Sequence, residues 1–323
     1  SWLLGAMWHL PLPRLLSMHI LGWAAAGLLC AAVFDLSRRT LGVTAGLCVA
    51  ALIGLHPVVL AQSLQLNLDL FQIAFAWSAV AALVAGRPWL VALALSASCM
   101  TKLNGPFAVP PIALWILFTL YREKRLTDVR RLPAALWPVA VPTLVFLFYH
   151  VVKYFLTGHF LVGPDFRDEN LGYVHNLQEY VVRLWHSLGQ LFGNGNPNLP
   201  TLLFIGVFGL VTLVRRRDRA FSDRVTAQLD ATSPVRTANG TRRPVRKSTT
   251  DFFQPLSVQK TLALSWLVAG CHILFWTIRQ YFGLVRHMMG AYPALAFSVV
   301  LLAMLAFPQR KNRALALVMI PLL

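Results

Sequence analysis

Residues 15–34 read LLSMHILGWAAAGLLCAAVF, an unbroken run without Asp, Glu, Lys or Arg. A helix needs roughly 20 apolar residues to cross a hydrocarbon core about 30 Å thick, and this stretch has that length. Only helices and closed barrels satisfy their backbone groups in lipid, and barrel strands alternate apolar with polar residues. This run does not alternate, so it reads as a helix. Outward from it, similar runs occupy 43–62, 70–86, 88–102, 107–121, 133–156, 200–214, 261–278 and 288–307, and a tenth opens near 314. The expected fold is all-α, a polytopic transmembrane helix bundle with nine or ten crossings. The runs 70–86 and 88–102 are short for a span and are expected to lie within protein, tilted or partly interrupted.

Composition supports this reading. Of 323 residues, 57% are hydrophobic and 13% charged, and the mean hydropathy is +0.61. A soluble domain carries about 25% charged residues, so this chain has too little polar surface to cover a water-soluble globule. Cys30, Cys48, Cys99 and Cys271 all sit inside apolar runs. They show neither metal-ligand nor secreted-disulfide spacing and read as small core residues.

The net charge of +17 would suggest nucleic acid in a soluble protein. Here its distribution gives a different answer. Most of the Lys and Arg fall at 38–39, 87, 121–131, 215–260 and 310–313, connections that alternate along the chain with nearly neutral ones. The positive-inside rule places the basic set in the cytoplasm, where it also attracts anionic headgroups. We therefore expect a multi-pass integral membrane protein with no nucleic-acid partner.

Residues 1–323 read as one transmembrane domain with two long excursions and no internal repeat. The basic segment 215–260 is rich in Arg, Ser, Thr, Asp and Pro and is expected to be a disordered cytoplasmic loop. Its Asn239-Gly240-Thr241 matches a glycosylation acceptor on the wrong side for that modification. The opposite loop, 157–200, carries Pro164-Asp165-Phe166-Arg167-Asp168-Glu169, an aromatic-rich stretch at 173–192 that suits an interfacial helix, and a turn-rich run at 193–198. The beginning at Ser1, with Trp2, Trp8, His9, Pro11 and Pro13, reads as the end of an outer loop. The last residues lie inside an apolar run, and no signal peptide is visible. On these features we expect the sequence to be a fragment.

Charge near hydrocarbon is costly and usually has a reason. Arg14, Asp69, Lys102, Arg279 and Arg286 all map to outer helix ends in this topology. A cluster of cations with few acids suits a phosphate or pyrophosphate, whereas each cation alone could simply snorkel to the interface. Asp69 could cap its helix, or serve as a base, an acceptor-orienting group or a metal ligand. His19, His56, His150 and His272 suit packing roles. His159, His175 and His186 share the outer loop without tight ligand spacing, so a divalent metal stays open. His287 directly follows Arg286. Phosphate-binding Gly loops, nucleophile elbows and zinc-protease helices do not occur.

The order His56-Pro57, Gln62 to Asp69, a helix pair, then Met100-Thr101-Lys102-Leu103-Asn104-Gly105-Pro106 resembles polyprenyl-phosphate-dependent glycosyltransferases of the GT-C fold. Within that fold the order resembles the protein O-mannosyltransferase and aminoarabinose-transferase group. Leu12-Pro13-Arg14-Leu15-Leu16 resembles the Arg that opens an earlier helix there. The run from Arg286 and His287 through Tyr292-Pro293-Ala294-Leu295 resembles a late segment of that family. The likeness spans roughly residues 10–125 and, less closely, 260–300.

The resemblance implies an inverting transferase that moves a sugar from a dolichyl- or undecaprenyl-phosphate carrier to a protein, lipid or glycan acceptor on the non-cytoplasmic face. By matching position, Lys102 and Arg286, with Arg14 and His287 beside them, would bind the donor phosphate, and Asp69 would serve the acceptor or the geometry of the catalytic centre. The family's first helix and acid-bearing outer loop have no counterpart here, so the general base is expected upstream of Ser1. The competing readings are a non-catalytic subunit of a glycan-assembly complex and a lipid or solute transporter. Transporters usually show a repeat and broken or charged helices near mid-bilayer. The Arg- and Ala-rich composition suggests a bacterial plasma membrane.

Overall fold

The computed structural model describes residues 13–65, 67–102, 105–123, 132–159, 176–192, 199–215, 256–279 and 285–319. Outside them lie the start of the chain, most of the basic loop with its Asn239 acceptor motif, the Pro164–Glu169 run with His175, and the 193–198 turn.

Among the described residues every regular element is helical: α1 (Arg14–Leu41), α2 (Val43–Gly54), α3 (Pro57–Leu64), α4 (Leu68–Val84), α5 (Pro88–Thr101), α6 (Val109–Arg122), α7 (Leu132–Thr157), α8 (Leu177–Phe192), α9 (Leu199–Arg215), α10 (Val258–Arg279), α11 (Tyr292–Ala306) and α12 (Lys311–Met319). Two 3-10 segments, Gly105–Ala108 and Val285–Ala291, lead into α6 and α11. Four stretches are long and apolar enough to cross a membrane: Leu16–Leu41, Leu132–Thr157, Val258–Thr277 and Met288–Ala306. The pair α2–α3 adds a fifth if it counts as one span.

Local chemistry explains where the elements break. The expected single crossing 43–62 is instead two helices bent by 60°. Pro57 has no N–H for the helical ladder, and it occupies the first turn of α3, where the His56 Nδ1 accepts the Val58 N–H at 3.3 Å. In contrast, α1 runs past its apolar stretch to Leu41, because Asp35 is paired one turn on with Arg38 (2.6 Å) and Arg39 (2.8 Å). Gly42 then takes φ +98°, a left-handed value that glycine adopts without strain. The expected run 288–307 begins as 3-10 helix and becomes α-helical at Tyr292, with Pro293 in its first turn.

The core is built around α4 and α11. Apart from Asp69, Gln72 and Ser78 in α4 and Ser298 in α11, both are apolar around the whole helix, the mark of a helix buried on every side. The span Met288–Ala306 is 94% buried, against 28% for Leu132–Thr157. Within α4, Leu70, Ile73 and Trp77 are almost fully buried. The outer surface carries large apolar side chains, among them Phe148 (71% exposed) and Phe155 (79% exposed) on α7. Such a surface suits hydrocarbon rather than water.

The bundle has two chemically distinct ends. Helices α1 and α4 run in the same direction. Near their starts, Gly22 packs so closely on Ser63 that an added Cβ would lie 1.8 Å from the Ser63 carbonyl oxygen. At their other ends lie Asp35 with Arg38 and Arg39, the Gly86–Arg87 turn, and Leu256, whose N–H donates to the Val84 carbonyl at 3.1 Å. That is the basic end. The Asp69 end lies opposite.

Candidate functional site

Three connections meet at the end opposite the basic one. The first is the passage from α3 to α4. There Gln62 accepts a hydrogen bond from the Asn67 amide, and the Asn67 side-chain oxygen accepts the Asp69 N–H at 2.9 Å. These short-range bonds stop α3 and cap α4, fixing Asp69 in the first turn of a helix, where a negative charge is favoured.

The second connection is the end of α5. Helices α4 and α5 form an antiparallel hairpin through Gly86, so the beginning of one lies beside the end of the other. Lys102 leaves α5 in extended conformation, and its Nζ meets Asp69 Oδ1 at 2.6 Å. The carboxylate side chain is 5% exposed and the lysine 34%. Lys102 Nζ also lies 5.9 Å from the centre of the Trp276 ring on α10, within cation–π range. The ammonium therefore has a carboxylate and an indole face as neighbours while a third of the side chain stays open. Immediately beyond, Ser98 Oγ donates toward the carbonyls of Gly105 (3.0 Å) and Gln72 (3.3 Å), pinning the turn after Lys102 to α4.

The third connection is Val285–Ala291. Trp77 of α4 donates its indole N–H to the Gly290 carbonyl at 3.1 Å, and Met288 and Met289 are fully buried. Gly290 lies against the His272 ring; a Cβ there would come within 2.5 Å of it. His272 in turn contacts Phe107, with ring centroids 4.5 Å apart, and Trp276, 6.3 Å apart. The segment carrying Arg286 and His287 is thus held against α4 and α10, the two helices that supply Asp69 and Trp276. Helix α8 joins this end through Ser187, whose Oγ lies 3.3 Å from Thr277 Oγ1 on α10.

The structure therefore brings together Asp69 and Lys102 directly, and the backbone of Arg286 and His287 to the same region. Arg14 opens α1, roughly two turns beyond Gly22 toward this end. The side chains of Arg14, Arg279, Arg286 and His287 lie outside the described residues. Trp276, Gln62, Asn67 and Trp77 enter the site without having been singled out as site residues from sequence. Only the polar run from Gln62 to Asn67 between apolar stretches gave any signal. Among the described residues no group of three or more His, Cys, Asp or Glu could hold a metal ion.

Fold and site together define a class, a protein whose described residues are helical, with four or five spans long and apolar enough to cross a membrane among them, and at one end an ion pair whose carboxylate is buried. No family model, no curated protein and no solved structure matches the chain.

Proposed function

We propose that this chain is a membrane glycosyltransferase of the GT-C kind, with nine or ten crossings. It would transfer a sugar from a polyprenyl-phosphate carrier to an acceptor on the non-cytoplasmic face, in a bacterial plasma membrane. The observation that carries the reading is the Lys102–Asp69 pair, a lysine held by a buried carboxylate yet a third open, at the less basic end of the bundle.

The chemistry follows from charge. The acceptor oxygen attacks the anomeric carbon, the bond from that carbon to the phosphate oxygen breaks, and the phosphate leaves with added negative charge. A cation already in position stabilises that change without reorganising. Lys102 Nζ has N–H donors beyond the one directed at Asp69, and Asp69 and Trp276 restrict where they point. In this reading Asp69 positions the lysine. Arg286, His287 and Arg14 would complete the phosphate site from neighbouring elements, and the proton would leave to a base outside these residues.

The test is sugar transfer in membranes containing the full protein, with radiolabelled polyprenyl-phosphate sugar as donor. Lys102→Met and Arg286→Met should each abolish transfer while the protein still inserts. Unchanged transfer by both variants would overturn the reading. A wild-type protein that binds carrier but never turns it over would favour the non-catalytic subunit instead.

A further inference from the structure

At the basic end, away from Asp69 and Lys102, helices α1, α4 and α5 leave a groove of about 320 Å³. Its floor is made of small side chains, Ala32, Ala81 and Ala94 among them, and its lining is almost wholly apolar. Leu93 on its wall is 61% exposed, so the groove opens sideways onto the lipid-facing surface rather than into the core. Two charged residues complete the lining, Asp35 and Arg87. Asp35 Oδ1 and Oδ2 are bound by Arg38 and Arg39, while Arg87 is exposed at the α4–α5 turn. Arg87 lines the mouth itself, and Arg38 and Arg39 adjoin it through the Asp35 carboxylate that they bind, so the cations around the mouth outnumber its one acid. Trp89, 59% exposed, lies two residues beyond Arg87, a position that suits an aromatic ring at headgroup level.

We propose that this groove is a binding site for an anionic phospholipid of the leaflet at the basic end. One acyl chain lies along the alanine floor, and the headgroup phosphate meets Arg87 and the Arg38–Arg39 pair. A lateral apolar groove in a lipid-facing surface cannot hold water without cost, and hydrocarbon is what surrounds it. The positive mouth then selects among headgroups, since arginine presents donors in a fork that matches phosphate oxygens. The site shares no described residue with the candidate transfer site and does not rest on the transfer reading.

The experiment is native mass spectrometry of the full chain released from nanodiscs of equal phosphatidylglycerol and phosphatidylcholine. The wild type should retain phosphatidylglycerol in preference to phosphatidylcholine. Arg87→Ala should weaken that retention about fivefold, the effect of one cation at an anionic surface. Ala94→Phe, which fills the floor, should abolish it. A thermal melt in detergent checks that both variants fold, and if Ala94→Phe does not, Arg87→Ala alone decides. Equal retention of the two lipids by the wild type, or undiminished retention in Arg87→Ala, overturns the proposal. So would a wild type that self-associates and an Ala94→Phe variant that does not while lipid retention stays intact, because the groove would then be covered by a second copy.

Discussion

Lys102→Met offers the sharpest test of how the site is held together. It removes the only ion-pair partner that Asp69 has among the described residues and leaves a carboxylate that is 5% exposed. Removing one member of a fully buried pair costs about 3–5 kcal/mol, most of it from the charge left behind. Lys102 is itself 34% exposed, so water reaches the site and the cost falls to about 1–3 kcal/mol. Asp69→Asn is the milder change, because the freed ammonium can turn to solvent; it should cost about 1 kcal/mol or less. The double variant removes the stranded charge, so it should be more stable than the sum of the singles predicts, by about 1–2 kcal/mol. Equilibrium unfolding of all four proteins in mixed micelles measures the cycle. Equal costs for the two single variants, adding within about 0.5 kcal/mol in the double, would refute the claim that lysine and carboxylate act as a unit.

Other predictions concern the packing that positions this pair. Gly105→Ala would place a Cβ 2.0 Å from the Ser98 carbonyl oxygen and 2.6 Å from the Cys99 backbone, so the turn after Lys102 must shift. Stability should drop by about 1–3 kcal/mol in the same unfolding assay. Gly27→Ala is the control: nothing lies within 4 Å of its Cβ, and the change should be neutral or stabilising by up to about 1 kcal/mol. Trp77→Phe removes the donor to the Gly290 carbonyl and should cost about 1–3 kcal/mol. Hydrogen exchange should then rise in Val285–Ala291 before it rises in α1.

Much of this organisation could be read from the sequence because hydropathy in a membrane is nearly a positional code. The run 133–156 became α7 with ends displaced by a single residue. The alternation of basic and neutral connections agrees with a structure in which Arg38, Arg87 and Leu256 share one end of the bundle. The bend at His56-Pro57 was written in the proline, yet an apolar count passes over it because Leu55 and Val58 are as apolar as their neighbours. Likewise Asp35 looked like the end of a helix, and its two ion pairs let the helix continue.

For the site, the facing of Asp69 and Lys102 followed from two short helices joined by a Gly-Arg-Pro turn, which returns the chain to where it started. Trp276 had no such cue. It is one aromatic among many in an apolar run, and only the packing of α10 against the 105–108 and 285–291 segments brings it to Lys102.

The claim at the centre is that Lys102 and the 285–291 segment bind the phosphate of a polyprenyl carrier. Its most direct test is equilibrium binding of undecaprenyl phosphate to the full chain in nanodiscs, compared with Lys102→Met and with Arg286→Met. Saturable binding that weakens at least about tenfold in each variant, the loss of one charge-assisted contact, is the predicted result. Binding of equal strength in all three proteins, or none above that of undecaprenol, would contradict it.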